Sequence, residues 1–303
     1  MFLIDCHAHL VPRSLPPKTS LAEHLQRLAD RAPNLGAILT VTEDWEDIRW
    51  MERRELSARD TTLPLLLPLV GIHPVQPLPD GKVRSAVPGD LQGLEAVVRR
   101  MGNSLVGLGE VGLDFSPHIL KAHQDQSADF CAIDEIKDDQ RRVFRAQVLL
   151  SLSMGLTLNV HSRQAGHHAL SLLREEGASP ALMHAFDGRP AAVRQGLTDG
   201  HYFSIAPSIL RDPGMERLAR LVPLDRLILE TDSPALGPVA GEANDPSNIT
   251  VSLRQIARIK DVSVEEVARA TTQNALRLFP RLGSFVKNHD QMQEMDDSYD
   301  RQD

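Results

Sequence analysis

The chain has very few cysteines and no long apolar run. Cys6 and Cys131 are its only cysteines, too few for a disulfide scaffold, so we expect two free thiols. No apolar stretch approaches the roughly 20 residues that span a bilayer. No charged start followed by an apolar stretch suggests a signal peptide. These absences predict an intracellular protein, cytoplasmic or nuclear, with no membrane contact.

An excess of basic residues is also missing, because the formal net charge is -8. This balance argues at first against a nucleic-acid partner, since a phosphate backbone favours basic surfaces. Many of the acids lie near the C-terminus, where residues 288–303 hold six acidic side chains and one arginine. We therefore predict a disordered acidic tail over 283–303. Bound divalent cations would further neutralise an acidic pocket.

Short apolar runs alternate with amphipathic segments along most of the chain. The pattern is typical of parallel strands joined by crossover helices. Eight repeats favour a single (β/α)8 TIM-type barrel over an open doubly wound sheet. We predict this α/β domain over 1–282, with an extended loop near 115–139. The predicted strands are 2–5, 37–41, 65–71, 105–109, 157–161, 181–184, 201–205 and 227–230.

Histidines and acids stand where the predicted strands end. In an extended strand, His7 and His9 face the same way and can hold one metal ion. Two histidines spaced in this way, without further ligands, are more often packed or surface side chains. Barrel enzymes build their active sites at the carboxyl ends of the strands, where the loops converge. Candidate ligands follow five of the eight predicted strands, a coincidence that packing does not explain. The six predicted metal ligands are His7, His9, Glu110, His161, His184 and Asp232.

Four imidazoles and two carboxylates suit zinc, manganese or magnesium, and the ligand set does not choose among them. A carboxylate such as Glu110 can bridge two ions about 3.5–4 Å apart. Two such ions lower the pKa of a bound water and stabilise charge on a phosphoryl oxygen. The residues therefore predict two divalent metal ions per chain and favour hydrolysis over redox chemistry.

The candidate ligands lie within six short motifs, at residues 5–9, 71–74, 109–114, 159–163, 184–188 and 230–234. Together these motifs resemble the TatD family of metal-dependent hydrolases, and several are close to its vertebrate TatD domain-containing protein 3 branch. The resemblance runs in order from residue 2 to about 282. It implies a barrel of the metallo-dependent hydrolase type and hydrolysis of DNA phosphodiester bonds, often as a 3′ exodeoxyribonuclease, with action at abasic sites a further option.

Carried over residue by residue, the resemblance implies one ion bound by His7, His9, Glu110 and Asp232. It implies a second ion bound by Glu110, His161 and His184, so that Glu110 bridges the two. Asp232 would also accept a proton from the attacking water. The implied partner is DNA, as single strands or 3′ ends, and we expect a monomer.

Three further residues receive roles around this centre. Asp5 is expected to orient a ligand imidazole from behind, although an acid at a strand end is as often a cap. His73, between Gly71 and Pro74, suits contact with a substrate phosphate or with a metal-bound water, and its alternative is a turn histidine. Arg163 can grip a phosphate with its planar fork, and its alternative is a salt bridge to the next helix.

Two other functions remain open at this point. One is hydrolysis of a small amide or ester by an amidohydrolase-type barrel, which in many cases bridges its metals with a carboxylated lysine where this chain has Glu110. The other is a non-catalytic barrel that binds phosphate or nucleic acid, whose signature would be lost ligands. The sequence does not distinguish DNA from RNA, or an exonuclease from an abasic-site endonuclease.

Overall fold

The computed structural model describes residues 2–53, 62–126 and 131–286, and its main feature is one sheet of eight parallel strands. These strands follow one another in chain order around the sheet. A separate antiparallel hairpin, Val75–Pro77 paired with Val83–Ser85, follows the third strand of the sheet. The described residues form strands β1 (Leu3–Ala8), β2 (Leu35–Val41), β3 (Leu65–Leu69), β4 (Val75–Pro77), β5 (Val83–Ser85), β6 (Gly107–Asp114), β7 (Thr157–Arg163), β8 (Leu182–Met183), β9 (Tyr202–Ile205) and β10 (Leu227–Leu229).

The sheet closes on itself, because β1 and β10 meet at their carboxyl ends. The Asp232 amide donates to the His7 carbonyl at 2.8 Å, and the His9 amide donates to the Ser233 carbonyl at 2.8 Å. Each of the eight predicted strands has its counterpart in this sheet. The predicted (β/α)8 barrel is therefore confirmed, and closure places the last strand end beside the first.

Helices cover the outside of the barrel and begin at identifiable caps. Ser20 and Glu23 form a capping box at the first helix, and the Asp44 side chain accepts from two amides of the second. The helices described are α1 (Leu21–Arg31), α2 (Trp45–Glu52), α3 (Leu94–Met101), α4 (Pro117–Gln124), α5 (Ile133–Met154), α6 (Gly166–Glu175), α7 (Pro190–Thr198), α8 (Pro213–Leu221), α9 (Ile249–Lys260) and α10 (Val264–Leu278).

Apolar side chains fill the amino-terminal end of the barrel. Leu278 and Phe279, where α10 ends, belong to a buried cluster with the inward-facing strand residues. The Leu278 carbonyl accepts from the Thr157 hydroxyl, and the Phe279 ring packs against Gly107. Because Gly107 and Thr157 begin β6 and β7, this cluster closes one end of the barrel. The polar strand ends lie at the opposite end.

β1 alternates less simply than the sequence predicts. Cys6 belongs to the buried cluster that contains Leu278 and Phe279, here called the inner cluster. Ala8 belongs to a second buried cluster, although Cys6 and Ala8 are both adjacent to His7. The register of β1 against β2 shifts between Asp5 and Ala8, which lets both Cys6 and His7 face the barrel interior. His7 and His9 still converge, with their Nε2 atoms 3.4 Å apart.

The prediction of an extended loop near 115–139 was wrong over most of that segment. Pro117 opens α4, and α5 begins at Ile133, inside the segment predicted as a loop. Proline suits the first helical turn because proline has no backbone N–H, and the N–H groups of that turn have no partner within the helix. Ile119 and Leu120 of α4 are buried, as is Ile136 of α5. The apolar repeat in α4 is too short to produce a clear helical period.

The predicted tail over 283–303 begins within ordered structure. Residues 282–286 form a further helical turn, and Phe285 and Val286 pack against the inner cluster. Residues 287–303 lie outside the described part of the chain. Among the described helices, none is both long enough and apolar enough to cross a membrane.

Candidate metal centre

The six predicted ligand residues meet at the carboxyl end of the barrel. His7 and Glu110 lie within β1 and β6, and His161 lies within β7. His9 and His184 directly follow β1 and β8, and Asp232 lies three residues after the end of β10. All six are buried, with at most 9% of any residue exposed. Side chains that can bind metal are therefore concentrated in one enclosed space.

Three donor atoms, from His7, His9 and Asp232, lie close enough together to hold one metal ion, and one oxygen of Glu110 lies beside two of them. The His9 Nε2 atom is 3.4 Å from His7 Nε2, 3.2 Å from Asp232 Oδ1 and 3.6 Å from Glu110 Oε2. His7 Nε2 is 3.4 Å from the same oxygens of Glu110 and Asp232. Four ligands at about 2.0–2.1 Å from one tetrahedral cation are separated by about 3.3–3.4 Å. The spacing of these donor atoms fits one shared metal ion.

A second group surrounds the other oxygen of Glu110. The Oε1 atom lies 3.2 Å from His184 Nε2, 2.8 Å from His161 Nδ1 and 3.6 Å from His73 Nε2. The two oxygens of one carboxylate thus face two different sets of imidazoles. His73, expected from the sequence to contact phosphate or a metal-bound water, is within reach of the same oxygen as two of the predicted ligands.

Three of these imidazoles are contacted by other side chains at the ring nitrogen that faces away from the centre. The sequence analysis assigned no role to these side chains. The Asn159 Oδ1 atom lies 2.9 Å from His7 Nδ1, and Glu230 Oε2 lies 3.0 Å from His184 Nδ1. Asp114 Oδ2 lies 3.4 Å from His161 Nε2. An acceptor at Nδ1 of His7 and of His184 holds the proton there and leaves the Nε2 lone pair directed at the centre.

The position of Asn159 supports a testable expectation. Its Nδ2 atom donates to the Cys6 carbonyl at 3.0 Å, so the amide is fixed with its oxygen toward His7. Asn159→Ala should lower metal affinity about 10- to 100-fold, as loss of such outer partners does in other metal sites. Metal titration by calorimetry measures this. Asn248→Ala, a change outside the centre, should leave affinity unchanged, and equal affinities in all three proteins would contradict the assignment.

Asp5 is placed differently from its predicted role. Its carboxylate accepts from the main-chain amides of His7 at 3.2 Å and Thr231 at 2.9 Å, and from the Thr231 hydroxyl. No imidazole is among the contacts described for it. Burial raises the pKa of Asp5 to about 7, although the bonds from Thr231 oppose this. Asp5 therefore joins β1 to the segment after β10 and supports the backbone of both ligand-bearing strands.

The carboxylates and imidazoles of the centre shift each other's pKa values. Burial alone would raise the pKa of Glu110, but His73, His7 and His184 hold it well below its usual value. Burial would also raise the pKa of Asp232, but His7 and His9 lower it. Burial and His7 oppose the charged form of His184, yet Glu230 and Glu110 raise its pKa to about 9. The carboxylates thus favour the protonated forms of His7 and His184, and a cation would have to displace those protons.

A cavity of about 560 Å³ opens above the centre. Arg163 lines its rim as an exposed side chain for which the described structure shows no ion-pair partner, so the salt bridge to α6, the alternative to phosphate contact, does not form. Glu43, two residues after β2, also lines the cavity and can join His9 and Glu110 as a ligand. Its carboxylate lies 2.7 Å from the Arg13 guanidinium. The sequence analysis missed Glu43, which its place after a strand end could have revealed.

α5 fixes two of the strand ends from outside. The Gln147 amide exchanges two hydrogen bonds with the main chain of Ile72, beside His73. Gln140 does the same for Asp114. These two side chains hold the loops after β3 and β6 in place around the cavity.

Comparison with known proteins identifies the family. The family model described as TatD related DNase matches residues 4–280. The chain belongs to this family. It is 40% identical over 288 residues to human "Deoxyribonuclease TATDN3", covering 94% of this chain and 97% of that one. It is 31% identical to the Bacillus subtilis "Uncharacterized metal-dependent hydrolase YabD", covering 91% and 98% of the two chains.

The fold of this TatD-family protein also matches solved structures. A "hydrolase TatD family protein" from Entamoeba histolytica superposes with a TM-score of 0.72 at 20% identity, covering 92% of this chain and 98% of that one. At this identity the match bears on the fold alone.

Proposed function

We propose that this TatD-family protein is a metal-dependent deoxyribonuclease that hydrolyses phosphodiester bonds with two divalent cations. The observation that carries the proposal is the placement of Glu110, whose two oxygens face two separate groups of imidazoles. One ion would be held by His7, His9, Glu110 and Asp232. The other would be held by Glu110, His161 and His184, with His73 within reach.

The donor set fits such cations. Imidazole and carboxylate ligands suit zinc and manganese, and the carboxylates also suit magnesium. When bound, two cations would polarise the phosphodiester and lower the pKa of a water molecule. Asp232 is ionised, because the imidazoles lower its pKa, and it can therefore accept a proton from that water. Glu110 holds the two halves of the centre at a fixed separation.

The cavity above the centre suits the end of a DNA strand. Its volume of about 560 Å³ falls within the range of small-molecule sites, about 300–1,000 Å³. Arg163 at the rim would contact a phosphate with its planar guanidinium. We therefore propose cleavage at 3′ ends of single strands, and an abasic nucleotide, which lacks only the base, would also enter.

The alternative functions have less support. A carboxylated lysine would have to replace Glu110 as the bridge, yet no lysine lines the described cavity. A non-catalytic binding barrel would not need six buried ligand side chains, and all six are in place. Hydrolysis of a phosphodiester accounts for both observations.

The proposal is tested with single-stranded DNA labelled at either end, incubated with the protein loaded with zinc, manganese or magnesium. We expect stepwise loss of nucleotides from the 3′ end and little cleavage by His9→Gln, with folding checked by circular dichroism. A duplex with one abasic site tests the second substrate. Absence of cleavage with every metal, or equal cleavage by His9→Gln, would refute a metal-dependent nuclease.

A further inference from the structure

A second cavity lies beside the first, in the groove between α6 and α7. Its volume is about 810 Å³, and Asp187 lines both this groove and the cavity above the metal centre. Arg163 lines the central cavity, and the next residue, Gln164, lines the groove. The groove therefore continues outward from the metal centre.

Two glycines allow the two loops beside this passage to approach each other closely. A Cβ atom on Gly188 would lie 2.2 Å from the Phe186 ring, and one on Gly166 would lie 2.7 Å from it. A side chain at either position would displace that ring or the loop carrying it. Gln164 has a φ of 52°, which turns the chain from β7 into the groove wall. The two loops therefore approach each other over Phe186 without side chains between them.

The charges along the groove differ from those of the metal centre. The central cavity is lined by many carboxylates, whereas Asp187 is the single acid among the residues that line the groove. Arg189 is exposed there, with no ion-pair partner in the described structure, and Arg174 is paired with Asp199. The Asp187 carboxylate accepts from the Gln164 amide at 3.2 Å. Arg163 thus lines the central cavity and Arg189 lines the groove, so each of the two connected spaces has one guanidinium without an ion-pair partner in the described structure.

The remaining lining suits a nucleic-acid backbone. Gln164, Ser171 and Gln195 offer uncharged polar groups, and no Phe, Tyr or Trp lines the groove in the part of the chain described. Stacking platforms for bases are therefore missing there. Contacts to phosphate and sugar do not depend on base sequence. The groove is suited to a single strand of any sequence.

We propose that the groove between α6 and α7 binds the part of a single-stranded DNA substrate that flanks the cleaved phosphate. Arg163 contacts the phosphate nearest the centre, and Arg189 contacts one further along the strand. This inference rests on the proposed nuclease function, because it assigns a path to that substrate. Its consequence is that affinity depends on strand length, whereas a minimal phosphodiester uses the metal centre alone.

The test compares substrates of two sizes in the metal-loaded protein. Arg189→Glu should raise KM at least about 5-fold for a decanucleotide and leave kcat/KM for bis(p-nitrophenyl) phosphate unchanged. It should also reduce the slope of log affinity against log salt by about 0.7, as expected when one single-strand phosphate contact is lost. Arg194→Glu is the matched control, since Arg194 is exposed on α7, the helix that Arg189 directly precedes, but does not line the groove.

A binding measurement separates this inference from the nuclease proposal. Fluorescence anisotropy with a labelled phosphorothioate decanucleotide needs no cleavage, and Arg189→Glu should weaken that binding about 5-fold. Asp187→Asn should strengthen it, because it removes the one carboxylate that lines the groove. Equal effects of Arg189→Glu and Arg194→Glu, or affinity independent of length, would overturn the groove assignment even if the protein cleaves DNA. Tight length-dependent binding without cleavage would support the groove and refute the nuclease.

Discussion

Glu110→Gln is expected to lower kcat/KM for DNA by about 10³-fold or more, equivalent to about 4 kcal/mol of transition-state stabilisation. Glutamine keeps the volume of the side chain but has one oxygen and one amino group. Its N–H would be directed either at His7 and His9 or at His161 and His184, where the wild-type carboxylate presents an oxygen. One of the two groups therefore loses a ligand, and bound metal should fall from two ions per chain to one or fewer.

Metal content by mass spectrometry and steady-state kinetics on the same samples measure this expectation together. Glu242→Gln makes the identical change at an exposed loop position and should alter neither quantity. Two ions per chain in Glu110→Gln, with activity near that of the wild type, would show that Glu110 is not a bridge. One ion with full activity would instead show that a single cation is enough for the reaction.

The barrel and its ligand-bearing end could be predicted because their signals are local. His7 and His9 are two residues apart where β1 ends, and Glu110, His161 and His184 each lie at the end of an apolar run. Since all carboxyl ends of parallel strands in a barrel meet at one rim, linear position was enough to infer proximity. The burial of these side chains follows from the same topology.

The support behind the ligands could not be predicted, because it depends on ring orientation and on contacts between distant strands. Asn159 and Glu230 lie two residues before a predicted ligand, His161 and Asp232, yet each contacts the imidazole of a different strand. The pairings across the barrel are determined by closure and by the register shift in β1. No spacing in the chain encodes either of them directly.

The groove between α6 and α7 escaped sequence analysis for a related reason. Its wall combines the loop after β7 with the loop after β8, and the passage depends on Gly166 and Gly188 meeting over one aromatic ring. A glycine in a loop predicts a turn but not which other loop it approaches. In the sequence, nothing distinguishes Arg189 from an ordinary surface arginine.

Metal affinity should rise with pH between about 6 and 9. A cation binds neutral imidazole, so it must displace any proton that the carboxylates hold on these side chains. Although burial lowers it, the pKa of His7 is raised well above its usual value by Glu110 and Asp232, and that of His184 is raised to about 9. Each displaced proton contributes up to about tenfold in affinity per pH unit. Calorimetry in buffers of different ionisation enthalpy should therefore detect at least one proton released per ion bound.

The same pKa values predict opposite trends in stability for the two forms of the protein. In the metal-free form the pKa of His184 lies above its unfolded value of about 6.5. Its ion pairs therefore stabilise the fold fully below pH 6.5, and that contribution is lost as pH rises toward 9. The metal-loaded form should gain stability over this interval, because metal binds more tightly. Glu230→Gln removes one of the carboxylates that hold the proton on His184, so it should flatten both trends. Unfolding midpoints that follow the same pH profile with and without metal would show that these imidazoles do not exchange their protons for a cation.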